Sequence, residues 1–383
     1  MKRIFLLILI PLVFLGCGAP EFEPEISPQV VGEWKSEEVI SGGTIGEIDG
    51  KEYLFLMTFP GSIPSKPVLH ILDLRDPAVP VEVATLEAPI SVLFPVGRLR
   101  LSGTVLYVPI GGSEVGGLWS VDVSDPASPR EISLLNAGFP AISLALSGEV
   151  ACIQGFPSRV FLFVDVSDPA NPRQVGEEFR LSREQGSMFV HSGKMEVSGS
   201  LLYVTDRDGL DIVDISSPGS PREVGFYANP LWTGEEPGVV EDIQHGAIEQ
   251  ITGIEGLLPD GFYGIVLSGQ YAYITAAEAG LRVLDVSNPA SPQEVAQLDM
   301  PEAAHRISIY EDTLCLLGME LVDSSVLYTV HLVDISEPET PVVVGSVEDI
   351  SASPSYSFVV ATDGYVYFVS ATTVRIIDIY GSN

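Results

Sequence analysis

Short runs of mainly apolar residues ending in Asp recur seven times along the chain, followed by small polar residues and, in most cases, paired prolines. The runs are Leu69–Asp73, Trp119–Asp122, Leu162–Asp165, Ile212–Asp214, Arg282–Asp285, His331–Asp334 and Arg375–Asp378. The spacings between successive aspartates are 49, 43, 49, 71, 49 and 44 residues. Self-similarity at such a period marks a stacked or ring-like array of supersecondary units.

Each unit predicts four strands. Leu201–Val204 and Tyr271–Ile274 are β-branched or aromatic runs preceded by Ser-Gly. Gly209–Asp214 and Gly280–Asp285 follow as the next strands, and Pro221–Gly225 and Pro292–Ala296 open another. A fourth lies ahead of the Ser-Gly turn, as in Leu144–Ser147 and Ile265–Ser268. Four short strands in about 45 residues, separated by turn signals, predict the blade of a β-propeller.

The turns carry a motif of their own. Asp-x-Ser-x-Pro-x-x-Pro runs from Asp122 to Pro129, Asp165 to Pro172, Asp214 to Pro221, Asp285 to Pro292 and Asp334 to Pro341, and Asp73 to Pro80 fits with Arg75 in place of Ser. The first Pro presets φ for a tight turn, and Asp and Ser oxygens accept from turn amides. The second Pro falls at the first residue of a strand, where a missing amide is tolerated. A residue that every unit needs solves a problem every unit has, so these aspartates read as structural.

The units resemble the LVIVD repeat family, and Gly280–Pro292 is close to its pattern throughout. The resemblance extends over about residues 28–380 and is strongest in the third to fifth units. It implies an all-β, seven-bladed β-propeller, and it implies no single activity. The last unit lacks its Pro-x-x-Val-Gly strand after Asp378, whereas Pro28–Gly32 supplies a spare one. Residues 28–35 are therefore expected to close the last blade beside Thr373–Ile379, removing exposed sheet edges.

The segment ahead of the repeats reads differently. Lys2-Arg3 precede twelve largely apolar residues, Ile4–Leu15, and then Gly16-Cys17. That run is shorter than the roughly 20 residues needed to span a bilayer and reads as a signal peptide over 1–16. The junction resembles a bacterial lipobox, departing from it at Phe14, where Leu is usual. The resemblance implies lipid attachment at Cys17, a tether over 17–27 and an extracytoplasmic, membrane-anchored domain over 28–383. In a two-membrane bacterium, Gly18 after the Cys favours the outer membrane. Eleven stretched residues reach at most roughly 35–40 Å.

Nineteen Lys and Arg against 52 Asp and Glu give a formal charge of −33. Such a surface repels phosphate backbones and excludes nucleic acid as a partner; it suits a basic or cation-bridged one. Cys152 and Cys315 fall at equivalent places in distant units, too far apart for a disulfide, and read as small buried hydrophobes.

Alternate loops of a propeller fall on opposite faces. The Ser-Gly and Asp-x-Ser turns share one face, and every irregular loop belongs to the other, including Phe59–Pro67, Ile110–Gly117, Arg180–Lys194, Gly318–Val326 and an insertion over about 229–261. Function is expected on that variable face. Within the insertion, Val240, Ile243, Ala247, Ile251, Ile254 and Leu258 predict one face of a helix that glycines weaken. Trp232, Glu235, Glu236, Glu241, Asp242 and His245 form the candidate binding surface. Trp232 reads equally as an exposed anchor or as a peg fixing the insertion to the ring.

Among the histidines, His70 and His331 read as satisfied structural residues, and His305 falls in a strand nearest the axis. His191 and His245, with Glu241, Asp242 or His305, are the only grouping for a metal, and their spacing matches no ligand motif. No nucleophile elbow, Walker loop or dinucleotide fingerprint occurs, and Gly111–Gly117 precedes a strand rather than a helix. The sequence therefore predicts a binding module for a protein or surface polymer, without catalysis or a cofactor. The competing expectation is a propeller hydrolase or lactonase with a metal or acid–base site at the channel mouth.

Overall fold

The computed structural model describes residues 27–60, 65–92, 97–111, 116–155, 160–183, 194–232, 261–322, 325–351 and 357–380. The described residues form seven antiparallel sheets and no helix. Blade 1 spans Val39–Glu87, blade 2 Arg100–Asn136, blade 3 Ala141–Arg180, blade 4 Met195–Ala228, blade 5 Gly264–Leu298, blade 6 Ala303–Ser351 and blade 7 Ser357–Asp378 with Gln29–Lys35. In blades 1 to 6 the strands lie in sequence order from inside to outside. Blade 3 is irregular at its rim, where Arg173–Gln174 and Phe179–Arg180 pair separately with Val160–Asp165.

The ring closes as the repeat pattern predicts. Gln29 lies opposite Asp378 and Lys35 opposite Thr373, so the first strand completes blade 7. The inner strands touch one another in blade order, and that of blade 7 touches that of blade 1.

Burial explains the apolar runs. Seven core clusters fill the seven gaps, each shared by two neighbouring sheets. Phe55 and Met57 pack toward Trp119 in blade 2, whereas Leu54 and Leu56 pack toward Tyr367 in blade 7. A strand with neighbours on both faces needs apolar residues at every position, so alternation vanishes from the middle strands.

The outer strands share a second device. Opposite the strand that ends at each repeat Asp except Asp165, one extra residue is inserted: Val31, Val83, Ile132, Val224, Val295 and Val344. These are the apolar fourth residues of the Pro-x-x-Val motif, and the bulge they make increases local twist. The residue that follows meets the next blade. At Gly32 and Gly225 a Cβ would overlap the backbone at Ala78 and Pro289, in the Asp-x-Ser turns of blades 1 and 5.

Candidate functional site

The seven repeat aspartates hold turns. In each, Oδ1 accepts from the amide two residues on, at 2.8–3.0 Å, from Asp73–Arg75 through Asp378–Tyr380. The amide after each Asp donates to the turn joining the first two strands of the same blade, for example Val166 to Glu149 and Val286 to Gln270. Both stereotyped turns therefore lie on one face, and the strand ends that lead into the irregular loops lie on the other. The Asp122, Asp165, Asp214 and Asp285 carboxyls are held below the usual carboxylate range, first by the hydroxyl and then by the amide of the Ser two residues on. These groups are committed to architecture.

The polar residues three places before the repeat Asp are equally occupied. His70 Nδ1 bonds Glu82 at 2.7 Å and its Nε2 meets Thr58 Oγ1 at 3.0 Å. Arg282 donates to Glu294 and Gln297 at 2.9 and 2.7 Å. His331 Nε2 lies 2.7 Å from Glu302 Oε2, and buried Asp211 is paired with Arg183. His305 is buried, with Nε2 3.1 Å from Ser357 Oγ.

The insertion leaves the ring from a fixed root. Asn229 donates from Nδ2 to Arg207 O at 2.9 Å, and its Oδ1 accepts from Leu231 N at 3.1 Å. Trp232 is half-buried, with the Arg207 guanidinium 5.9 Å from its ring centre. At the returning end Phe262 stacks on Tyr227. Trp232 thus sits at the base of the loop, against the turn between Asp206 and Gly209. Glu235, Glu236, Glu241, Asp242, His245, His191, Cys17 and the expected helical face lie outside the described residues. No group of three or more His, Cys, Asp or Glu able to hold a metal occurs among the described residues.

The axis holds what the sequence reading missed. A cavity of about 90 Å³ opens where the inner strands begin, at the variable face, and its lining includes Ser41, Gly43, Arg98, Lys194, Gly264 and Arg306. Arg98 and Arg100 both donate to Glu196 Oε1, the latter at 3.1 Å. Arg306 donates through Nε to Ser357 O at 3.1 Å and through a terminal nitrogen to His305 O at 3.2 Å. Among the described residues, no carboxylate pairs with Lys194 or Arg306. Lys194 is half-buried at the channel wall. Loss of solvation, followed by the like charges of Arg306, Arg98 and Arg100, holds its ammonium well below the ordinary lysine range, against an opposing pull from Glu196. Burial likewise pushes Arg100 down to about 10 and lowers Arg306.

These cations lie far apart in sequence, so no linear motif joins them. Aligning the inner strands on their turns would have done so, because Arg98, Lys194 and Arg306 share one position.

Comparison with known proteins agrees with this architecture. The LVIVD repeat model matches residues 96–136, 140–177, 191–229 and 263–299. These are blades 2 to 5, so the match takes in the second unit as well as the third to fifth, and leaves blades 1, 6 and 7 unmatched. The fold defines an all-β, seven-bladed propeller, and the chain carries LVIVD repeats in blades 2 to 5. No curated protein sequence matches it. Among solved structures, a chain of the mitotic checkpoint complex superposes with a TM-score of 0.56 at 10% identity, covering 99% of both chains. The computationally designed Ika8 protein gives 0.53 at 9% identity, covering 92% of this chain and 100% of that one. A looser likeness, at 0.48, is to BamB from Moraxella catarrhalis, at 12% identity and covering 94% and 92%. Likenesses at such identities concern the fold.

Proposed function

We propose that this propeller is an extracytoplasmic binding module, anchored to a bacterial membrane through Cys17, whose variable face engages a protein or surface polymer. The division between its two faces carries the reading. One face repeats a single turn whose polar groups are consumed internally; the other holds the strand ends that lead into the irregular loops, the root of the insertion and the open cavity. Such loops on a rigid scaffold are where recognition usually resides.

The entry of the chain supports the same orientation. Gln29 pairs with Asp378, at the stereotyped face, and Lys35 ends at the variable one. A tether over 17–27 therefore leaves from the stereotyped side and presents the variable loops away from the membrane. The acidic surface selects a basic or cation-bridged partner.

Affinity capture from native membranes, with the full chain and a variant lacking residues 234–256, tests the module. The same partner should be recovered with the first and lost with the second while the circular-dichroism melt is unchanged; retention of the partner rejects the face assignment. Anchoring is tested separately: Cys17→Ser should release the protein from the membrane fraction, and continued membrane association rejects lipid attachment.

A further inference from the structure

Arg98, Lys194 and Arg306 stand at one level of the axis. Each lies four residues before the last residue of its inner strand, respectively Ser102, Ser198 and Tyr310, in blades 2, 4 and 6. Thr44, Ser143, Gly264 and Phe358 hold that position in the other four blades. All three cations line one cavity, and small residues at Ser41, Gly42, Gly43 and Gly264 leave its space open.

The charge there is unbalanced. Arg98, Arg100, Lys194 and Arg306 converge, and Glu196, bonded to both Arg98 and Arg100, is the one carboxylate among the described residues in hydrogen-bond contact with any of them. A half-buried cation without a counter-charge loses part of its hydration uncompensated, and an ion that supplies that charge recovers the loss. A protein with a formal charge of −33 has few cations to place, and it places three on the wall of one cavity, with Arg100 on the same carboxylate as Arg98. No structural demand of the ring accounts for this, since Thr, Ser, Gly or Phe serves in the remaining blades.

We propose that the variable-face mouth of the channel binds one small oxyanion, phosphate or a compact carboxylate, between the Lys194 ammonium and the Arg98 and Arg306 guanidinium groups. A water molecule needs about 10–15 Å³ of such space. A cavity of about 90 Å³ therefore admits a group of several heavy atoms. The planar forks of the two arginines suit paired oxygens, and the lysine supplies a point charge. The acidic exterior excludes polyanions, so the ligand is compact. This site is independent of the macromolecular partner proposed above.

Calorimetric titration of the purified full chain with inorganic phosphate and with succinate, at constant ionic strength in chloride, tests the assignment. One of the two should bind at a single saturable site and raise the melting temperature; which one responds identifies the anion class. Lys194→Gln and Arg98→Gln should each weaken binding about tenfold or more, as expected for a lost charged hydrogen bond. Glu196→Gln, which removes the competing carboxylate, should tighten it. Lys51→Gln, an equal charge change at an exposed turn on the opposite face, should leave it unchanged. In chloride alone Lys194→Gln should melt no lower than wild type, showing that the fold tolerates the change. Absence of saturable binding by either anion overturns the proposal, as does binding that survives the Lys194→Gln, Arg98→Gln double variant.

Discussion

Gln29 and Asp378 face each other across the outer pair of strands in blade 7, so one sheet is built from both ends of the repeat array. Trp34, in the same strand, lies opposite Val374 and packs edge-on against His70 of blade 1, with ring centres 5.7 Å apart. It thus fastens the closing strand to two blades. Trp34→Ala is expected to cost about 2 kcal/mol in chemical denaturation, roughly half the cost of truncating a fully buried aromatic. Deleting Pro28–Lys35 should also expose the edge at Thr373–Asp378 and produce aggregates in size-exclusion chromatography. A monodisperse deletion variant with the wild-type melting point would contradict this role for the strand.

Acid should loosen the ring through its repeat turns. Asp214 is held down to about 2, first by the Ser216 hydroxyl, then by its amide and by Arg222. Asp122, Asp165 and Asp285 are depressed for the same leading reason. In the unfolded chain these carboxyls take up protons near the ordinary value of about 3.9. Unfolding therefore binds protons in that range, and the stabilisation is complete above about pH 4 and disappears as pH falls toward 2. Melting curves between pH 5 and 2 should show the decline, and Asp214→Asn should reduce its steepness. A melting temperature flat across that window would exclude the turns as the acid-sensitive element.

The pair formed by Glu302 and His331 offers a different probe. Glu302 accepts from Thr329 Oγ1 at 3.1 Å and meets His331 Nε2 at 2.7 Å, and both partners are buried. Removing the carboxylate strands two polar groups without an acceptor, which costs about 1–3 kcal/mol. Glu302→Ala should lose that much stability in urea titration, whereas a His331→Leu, Glu302→Leu double variant should recover part of it. Equal losses in the single and double variants would show that the pair is not coupled.

Cys152 and Cys315 are free and almost fully buried. Burial pushes the Cys315 thiol up to about 12 and raises the Cys152 thiol further. In a Cys17→Ser background, neither should react with a thiol reagent at pH 8 until the protein is denatured, when both should. Rapid labelling of either in the native protein would show that its blade opens.

The ring was legible because its information is local. Asp73, Asp122 and their equivalents sit within two residues of the amides they cap, and Pro28–Gly32 matches Pro221–Gly225 letter for letter at the positions that make the bulge. The cation cluster was hidden for the opposite reason. Arg98, Lys194 and Arg306 belong to strands separated by about a hundred residues, and only the circular order of blades brings them to one cavity. Arg306 even lay beside His305 in the sequence, yet the two side chains have different surroundings: His305 is enclosed near Ser357 and Tyr328, and Arg306 lines the channel. Trp232 shows an intermediate case, for its neighbour Arg207 comes from the preceding turn of the same blade.

The strand from Gln29 to Lys35 also sets a timetable. During synthesis it leaves the ribosome early and must wait, unpaired and rich in valine, until Thr373–Asp378 emerges to receive it. Blades 1 to 6 can assemble in turn, but the final latch is a contact between distant parts of the polymer, the slowest kind to form. Until it engages, one sheet edge stays open to strangers, so a newly made chain depends on being kept apart from its own copies.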